Sequence, residues 1–321
     1  MPEHREERDL ARPGGWSHRT EGSIIGPLNY TLQVPAAVEG PPIQLHLVFT
    51  QDGLYSPVVM RVPEGEGPFP AVISMHGGSG GLGMSFLVDQ MLHRSYAFDR
   101  FLAEGYVICY TEGRMEWEWF YGREDVGILD HKDIISTFRY VQNLPFVDAD
   151  RVAFFGVSHG GELQMKVISE IHKGPAALVP SEPAVIEFLD LQHDGPRTEK
   201  ALQYNDPLPD EKVNVPLAMK RLEPISPDLP ILVLGRDTDH MQGLFYKLYE
   251  LLERAGKNVQ WKTYDHPTHA YHWGPRKQEK VREFHGTILT LDSGYEVDDI
   301  TRQTLDDVLA FMNKHVRDKA K

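Results

Sequence analysis

Gly156-Val157-Ser158-His159-Gly160 is a Gly-x-Ser-x-Gly stretch between the apolar run Val152 to Phe155 and a helical segment, Glu162 to Ile171. A serine at so sharp a strand-to-helix turn is forced into a strained backbone conformation, tolerated because the flanking glycines remove Cβ clashes. Its Oγ is thereby lifted clear. The helix N-terminus behind it offers a positive dipole and a backbone N–H, that of His159, to a developing oxyanion. Serine still needs a base to take its proton, and an imidazole base needs a carboxylate to fix its tautomer and stabilise its charged form. The base candidate is His269, within Tyr264-Asp265-His266-Pro267-Thr268-His269-Ala270-Tyr271, and the acid candidates are Asp237 and Asp239, just after the run Ile231 to Leu234.

A second glycine-rich turn, His76-Gly77-Gly78-Ser79-Gly80-Gly81, ends the run Ala71 to Met75. Backbone N–H groups can approach a substrate closely there, so Gly77 or Gly78 is expected to give the other oxyanion donor. A phosphate cradle is disfavoured, because no Lys-Ser/Thr pair follows and Gly-x-Gly-x-x-Gly is not matched. His266, His269 and His272 are spaced by three, but Pro267 and Gly274 argue against a regular helix and no His-Glu-x-x-His is present. They read as loop histidines, and no metal site is expected. Asp130 and Asp133 stand at the start of a helical period, where capping and dipole complementarity explain them.

These motifs need elements to hold them. Gln44 to Phe49 and Tyr55 to Val62 read as an antiparallel hairpin turning at Gln51-Asp52-Gly53. The runs Ala71 to Met75, Tyr106 to Tyr110, Val152 to Phe155, Ala177 to Val179 and Ile231 to Leu234 are short and continuously apolar, as strands covered on both faces must be. Helical periods lie between and after them, through Ile134, Phe138 and Val141, through Leu244, Leu248, Leu251 and Leu252, and through Leu305, Val308, Leu309 and Met312. Alternation of this kind implies a mostly parallel, doubly wound α/β sheet whose ligand site lies at the carboxyl ends of the strands. Residues 180–227 exceed a simple crossover and read as a cap or lid insertion, while the aromatic stretch Met115 to Tyr121 is a candidate pocket wall.

Composition bounds the rest. The 321 residues are 41% hydrophobic and 25% charged, with a net charge of −14, so the surface repels polyphosphate backbones and nucleic acid is not an expected partner. The lone Cys109 excludes an intrachain disulfide and a thiolate zinc site. No run approaches the roughly 20 apolar residues of a membrane span and the N-terminus has no apolar h-region, giving the expectation of a cytoplasmic protein that does not engage membranes. Residues 1–22 lack hydrophobic period and read as a mobile tail, leaving 23–321 as the catalytic domain.

From Gln44 onward the chain resembles the dienelactone hydrolase and prolyl-oligopeptidase-like branch of the α/β-hydrolases. The resemblance lies in Gly67-Pro68-Phe69-Pro70-Ala71-Val72-Ile73 leading to His76-Gly77-Gly78, in Val147-Asp148-Ala149-Asp150-Arg151-Val152 leading to Gly156-Val157-Ser158-His159-Gly160-Gly161, and in Leu248 to Gly256 leading to His269. The chain order Ser, Asp, His is that of α/β-hydrolases. The resemblance implies Ser158 as nucleophile, His269 as base, Asp237 as acid, and the amides of Gly77 or Gly78 and of His159 as the oxyanion hole, with no cofactor. Counting back ungapped from Leu248-Tyr249 and Ala255-Gly256 in the family pattern is what lands on Asp237 rather than Asp239. Dienelactone hydrolases use cysteine where this chain has Ser158, and about 44 residues ahead of the domain are too few for a propeller. The expected activity is therefore hydrolysis of a small-molecule carboxylic ester, with a peptidase or amidase as the alternative. A silent binding protein is disfavoured because each catalytic position carries the residue the chemistry requires.

Overall fold

The computed structural model describes residues 31–34, 40–51, 53–78, 84–92, 96–113, 129–191, 204–273, 276–284, 287–295 and 297–318. The tail 1–22 and the aromatic stretch 115–121 lie outside them. Strands β1 (Thr31–Val34), β2 (Ile43–Phe49), β3 (Tyr55–Arg61), β4 (Phe69–Met75), β5 (Val107–Thr111), β6 (Val147–Val157), β7 (Leu178–Ser181), β8 (Ile231–Arg236) and β9 (Val259–Tyr264) form one sheet in the order β1-β2-β3-β5-β4-β6-β7-β8-β9. β5, β4, β6, β7, β8 and β9 run parallel, and β1, β2 and β3 add an antiparallel flank. The expected hairpin is β2–β3, paired with Leu45 opposite Val59, and Gly53 turns its loop at a φ of 84°. A separate antiparallel hairpin, β10 (Arg276–Phe284) and β11 (Thr287–Tyr295), follows the His269 loop.

The central strands are apolar throughout because both faces are covered. In β6, Val152 and Phe154 join one hydrophobic cluster while Ala153 and Phe155 join the other, and Cys109 and Ile108 divide the same way in β5. Cys109 is fully buried, and burial pushes its thiol pKa up. The first cluster contains buried side chains of α3 (Asp130–Gln142), α4 (His159–Ile168), α5 (Val215–Leu222) and α6 (Gln242–Arg254). The second contains α1 (Met84–Leu92), α2 (Tyr96–Ala103) and α7 (Asp299–Met312). The described part of 180–227 contributes Val185, Phe188, Leu189, Val213, Leu222 and Ile225 to the first cluster. No helix among the described residues is long and apolar enough to cross a membrane.

The winding fixes where chemistry belongs. From β4 the chain moves outward to β5 and returns to lay β6 on the other side of β4, so the connections diverge between β4 and β6. A crevice at the carboxyl ends of such a pair is the natural ligand site of an open α/β sheet. His76-Gly77-Gly78 leaves β4 there and Ser158 leaves β6, with Met75 paired to Gly156.

Candidate active site

Ser158 sits between β6 and α4 at φ 54° and ψ −119°, a left-handed conformation that a side chain rarely adopts. The turn is held from several sides. The Ser158 N–H donates to the Ser181 carbonyl, and the Ser158 carbonyl accepts from Gly161, Glu162 and Ala184 N–H groups. Gly160 is obligatory, because a Cβ there would run into the carbonyl oxygens of Met75 and His76. Gly77 packs from the other side. A Cβ on it would lie 2.6 Å from Ser158 Cβ and 3.3 Å from Oγ.

The oxyanion candidates therefore occupy one corner. His159 opens α4, Gly77 packs against the Ser158 side chain, and Gly78 follows at φ 72° with open space where its Cβ would stand. His76 anchors the turn from below, its Nε2 3.2 Å from the buried Glu112 carboxylate at the end of β5. The His159 ring is also held: Nε2 lies 3.3 Å from Asp130 Oδ2 and Nδ1 lies 3.4 Å from Glu162 Oε2. Asp130 thus does more than complement a helix dipole. The His131 and His159 hydrogen bonds and the Lys166 charge overcome burial and hold its carboxyl well below the usual range.

His269 lies in the loop after β9. Its Nδ1 is 2.7 Å from Asp239 Oδ2 and 2.7 Å from Glu182 Oε2, while Nε2 is buried and has no hydrogen-bond partner among the described residues. Two carboxylates on Nδ1 fix the proton there in the neutral ring, leaving Nε2 as the acceptor. Burial pulls the imidazole pKa down, but the hydrogen bonds and charges of Asp239 and Glu182 prevail and raise it to about 9. The same hydrogen bonds hold both carboxyls below their ordinary values against burial.

Asp237 is not the carboxylate that meets His269. Its N–H still extends the β8–β9 ladder, donating to Tyr264 O at 3.0 Å, and its exposed side chain accepts from Thr263 Oγ1 at 2.5 Å. Two residues later the chain has turned inward, with Asp239 N–H donating to Arg236 O, and the Asp239 carboxylate is buried. Asp239 Oδ1 accepts from Met241 N–H at 2.8 Å just ahead of α6, so the carboxylate serves the helix start as well as His269. Strand pairing persists one residue beyond β8, leaving Asp237 exposed while Asp239 is buried.

Two participants were missed from sequence. Glu182 follows β7 directly, inside the stretch 180–227 that reads as an insertion, although a carboxylate at a strand end is the very signal applied to Asp237 and Asp239. Arg236, the last residue of β8, donates through Nε to Asp239 Oδ2 at 3.0 Å and through NH1 to His266 O at 2.7 Å, tying the His269 loop to the strand. The neighbouring histidines diverge. His266 stacks on Tyr271 with its Nε2 3.0 Å from Asp298, and the fully buried His272 faces Glu182 Oε1 at 3.4 Å. Among the described residues, Glu182, Asp239 and His269 bring potential metal-ligand atoms within 4.8 Å of one another. The guanidinium of Arg236 and the Ala270 N–H already occupy the facing carboxylate oxygens, which fits an internal ion-pair cluster better than a metal cage.

Comparison with known proteins places this geometry in context. The model of the prolyl oligopeptidase family matches residues 94–289, more than half of the chain. Proteins named "Probable dipeptidyl-aminopeptidase B" match from Sclerotinia sclerotiorum, 29% identical over 143 residues, and from Uncinocarpus reesii, 30% identical over 139 residues. Each match takes in 40% of this chain and only 14% of the relative's length. Among solved structures, an esterase of Pyrobaculum calidifontis is similar at a TM-score of 0.57 and 14% identity, covering 88% of this chain and 87% of its own. Brefeldin A esterase, described as a bacterial homologue of human hormone sensitive lipase, is similar at 0.59 and 16% identity, covering 90% and 81%. Dipeptidyl peptidase 4 of Porphyromonas gingivalis is similar at 0.51 and 18% identity, covering 70% of this chain and 32% of its own.

Proposed function

The chain belongs to the prolyl oligopeptidase family and is a serine hydrolase of the α/β-hydrolase fold, and we propose that it cleaves carboxylic esters through Ser158, His269 and Asp239. The observation that carries this reading is the pairing of His269 Nδ1 with Asp239 while Nε2 stays buried and unpartnered among the described residues. In this mechanism Ser158 Oγ attacks the ester carbonyl as Nε2 takes its proton, and the amides of Gly77 or Gly78 and of His159 stabilise the oxyanion. His269 returns the proton to the leaving alkoxide. Water, activated by the same nitrogen, then releases the acyl group from Ser158.

Ester rather than peptide cleavage is supported by the esterases among the similar solved structures, which align with 88% and 90% of this chain. The family match and the dipeptidyl-aminopeptidase relatives favour the second reading, a peptidase with the same catalytic residues. A panel of p-nitrophenyl esters of graded chain length beside dipeptidyl p-nitroanilides separates the two. Esters should turn over at least about tenfold faster in kcat/KM, and the reverse ranking selects the peptidase. Ser158→Ala should lower the rate by about 10⁴-fold or more, because the members act as a unit. Retention of most activity in that variant, or fluorophosphonate labelling of another serine, would overturn the assignment of Ser158.

A further inference from the structure

We infer that Glu182 is a second acid of the relay, a positioning residue that shares the His269 Nδ1 proton with Asp239 and supplies the negative charge that Arg236 takes from Asp239. The inference rests on the reading of His269 as the base. It starts from topology: β7 and β8 are adjacent parallel strands, and each releases a buried carboxylate within three residues of its carboxyl end, Glu182 from one and Asp239 from the other. Both reach the same nitrogen at 2.7 Å.

The two are not equivalent. Asp239 Oδ2 also accepts from Arg236 Nε at 3.0 Å and lies 2.9 Å from NH2, so much of its charge is compensated before His269 is protonated. Arg236 Nε stands 3.9 Å from Glu182 Oε2, beyond hydrogen-bonding distance. With Glu182 and Asp239 ionised and Arg236 charged, the cluster holds one net negative charge, which an imidazolium neutralises. Glu182 is 1% exposed, and so deeply buried a carboxylate is costly unless charges and donors surround it.

The backbone is built to present it. Glu182 Oε2 also accepts from Ala270 N–H at 2.9 Å, one residue past His269, and both Glu182 (φ 45°) and Ala270 (φ 61°) hold left-handed conformations without being glycine. Removing the carboxylate therefore loosens both the charge and the placement of the ring. The other titratable groups around the imidazole are His240, whose ring centroid is 5.9 Å away, and His272, which faces Glu182 Oε1 rather than His269. Raised by its two carboxylates, the His269 titration should fall near pH 9.

The test is titration of His269 in the intact protein by NMR of ¹⁵N-labelled histidine, beside pH profiles of kcat/KM. In the wild type the midpoint should lie above about 8, and a midpoint at or below 7 would overturn the proposal without recourse to any variant. Glu182→Gln should lower the midpoint and the ascending limb of kcat/KM by about 1 pH unit or more, the size of shift expected from losing one close opposite charge. Glu182→Asp, which keeps the charge on a shorter arm, should lower them less. Asp239→Asn should lose under about 10³-fold in kcat because Glu182 still holds Nδ1, and the Asp239→Asn, Glu182→Gln double variant should reach the roughly 10⁴-fold loss of a relay without an acid. Unchanged titration in Glu182→Gln, or a double variant no worse than Asp239→Asn, refutes the second acid. Because the NMR midpoint requires no turnover, that failure is distinct from failure of the hydrolase reading, which Ser158→Ala reports.

Discussion

Substituting Gly77 tests the oxyanion corner by geometry alone. An alanine Cβ there would lie 2.6 Å from Ser158 Cβ and 3.0 Å from the Val157 carbonyl oxygen. Carbon atoms settle at about 3.5 Å or more, so the turn must retreat by about 1 Å, since neither Val157 nor the elbow behind it can yield. An amide about 3 Å from an oxyanion then stands about 4 Å away, outside hydrogen-bonding range. Loss of one oxyanion donor costs about 10² to 10³ in kcat. Gly77→Ala should show that loss with KM nearly unchanged, a similar slowing of fluorophosphonate labelling, and a melting temperature lowered by the overpacking, worth about 1–3 kcal/mol. Gly78→Ala is the internal control. Its Cβ would meet nothing within 4 Å, and its φ of 72° costs an alanine about 1–2 kcal/mol. If Gly77 carries the donor, Gly78→Ala loses stability but little kcat. A Gly77→Ala enzyme within about threefold of wild type would refute the argument, and a selective kcat loss in Gly78→Ala would move the donor to that residue.

The remaining expectations concern the acids and pH. Asp239→Asn should lower kcat by at least about 10², whereas Asp237→Asn, exposed and bonded to Thr263, should stay within about threefold. Steady-state kinetics of the pair decide it, and a crippled Asp237→Asn would reverse the roles. Stability should peak near neutrality. His269, raised from 6.5 to about 9 in the folded state, contributes stability fully present below about pH 6.5 and lost as pH rises through 9. His46 is lowered to about 4 by burial between Tyr140 and Gln44, so the unfolded chain takes up its proton first and stability falls as pH drops from 6.5 towards 4. Melting temperatures across pH 4 to 10 should show both slopes, and His46→Gln should flatten the acid one.

Much of the site was legible because the central strands announce themselves. A strand covered on both faces is a continuous apolar run, and Ser158, Gly77 and His269 lie where such runs or their pairing partners end. The edge is harder to read. β9 alternates Gln260 and Lys262 with Trp261 and Thr263 and is largely half-exposed, so Val259–Tyr264 lacks the continuous run that marks β8. β10 has six charged residues in nine and carries no hydrophobic period. Counting along the chain selects Asp237, whereas the contact with His269 goes to Asp239 after one more amide has joined the ladder to Tyr264, a long-range pairing that residue spacing does not encode. Glu182 was hidden because β7 is only four residues long and its far end merges with a segment that looks like an excursion.

The elbow stands between two buried ionic clusters, and their contacts bear on the proposed roles of His159 and His269. On the α3 side, Asp130 and Glu162 meet His159, and Lys166 pairs with Glu187 while lying 3.9 Å from Asp130. Glu162 is further held by the Phe188 N–H at 2.8 Å. Such a network locks the first turn of α4, and with it the His159 amide, in place before substrate arrives. On the β8 side, Arg236 donates to Asp239 and lies 3.9 Å from Glu182, so two carboxylates face one guanidinium and the His269 imidazole. In the proposed mechanism the ring first titrates to its neutral form, with a midpoint near pH 9, and the proton then taken from Ser158 restores the positive charge that these carboxylates stabilise. In the low dielectric behind the sheet's carboxyl edge, an environment already polarised for the imidazolium lowers the barrier without reorganising. The His159 ring nitrogens face Asp130 and Glu162, whereas His269 Nε2 has no hydrogen-bond partner among the described residues, so proton transfer in the proposed mechanism falls to His269.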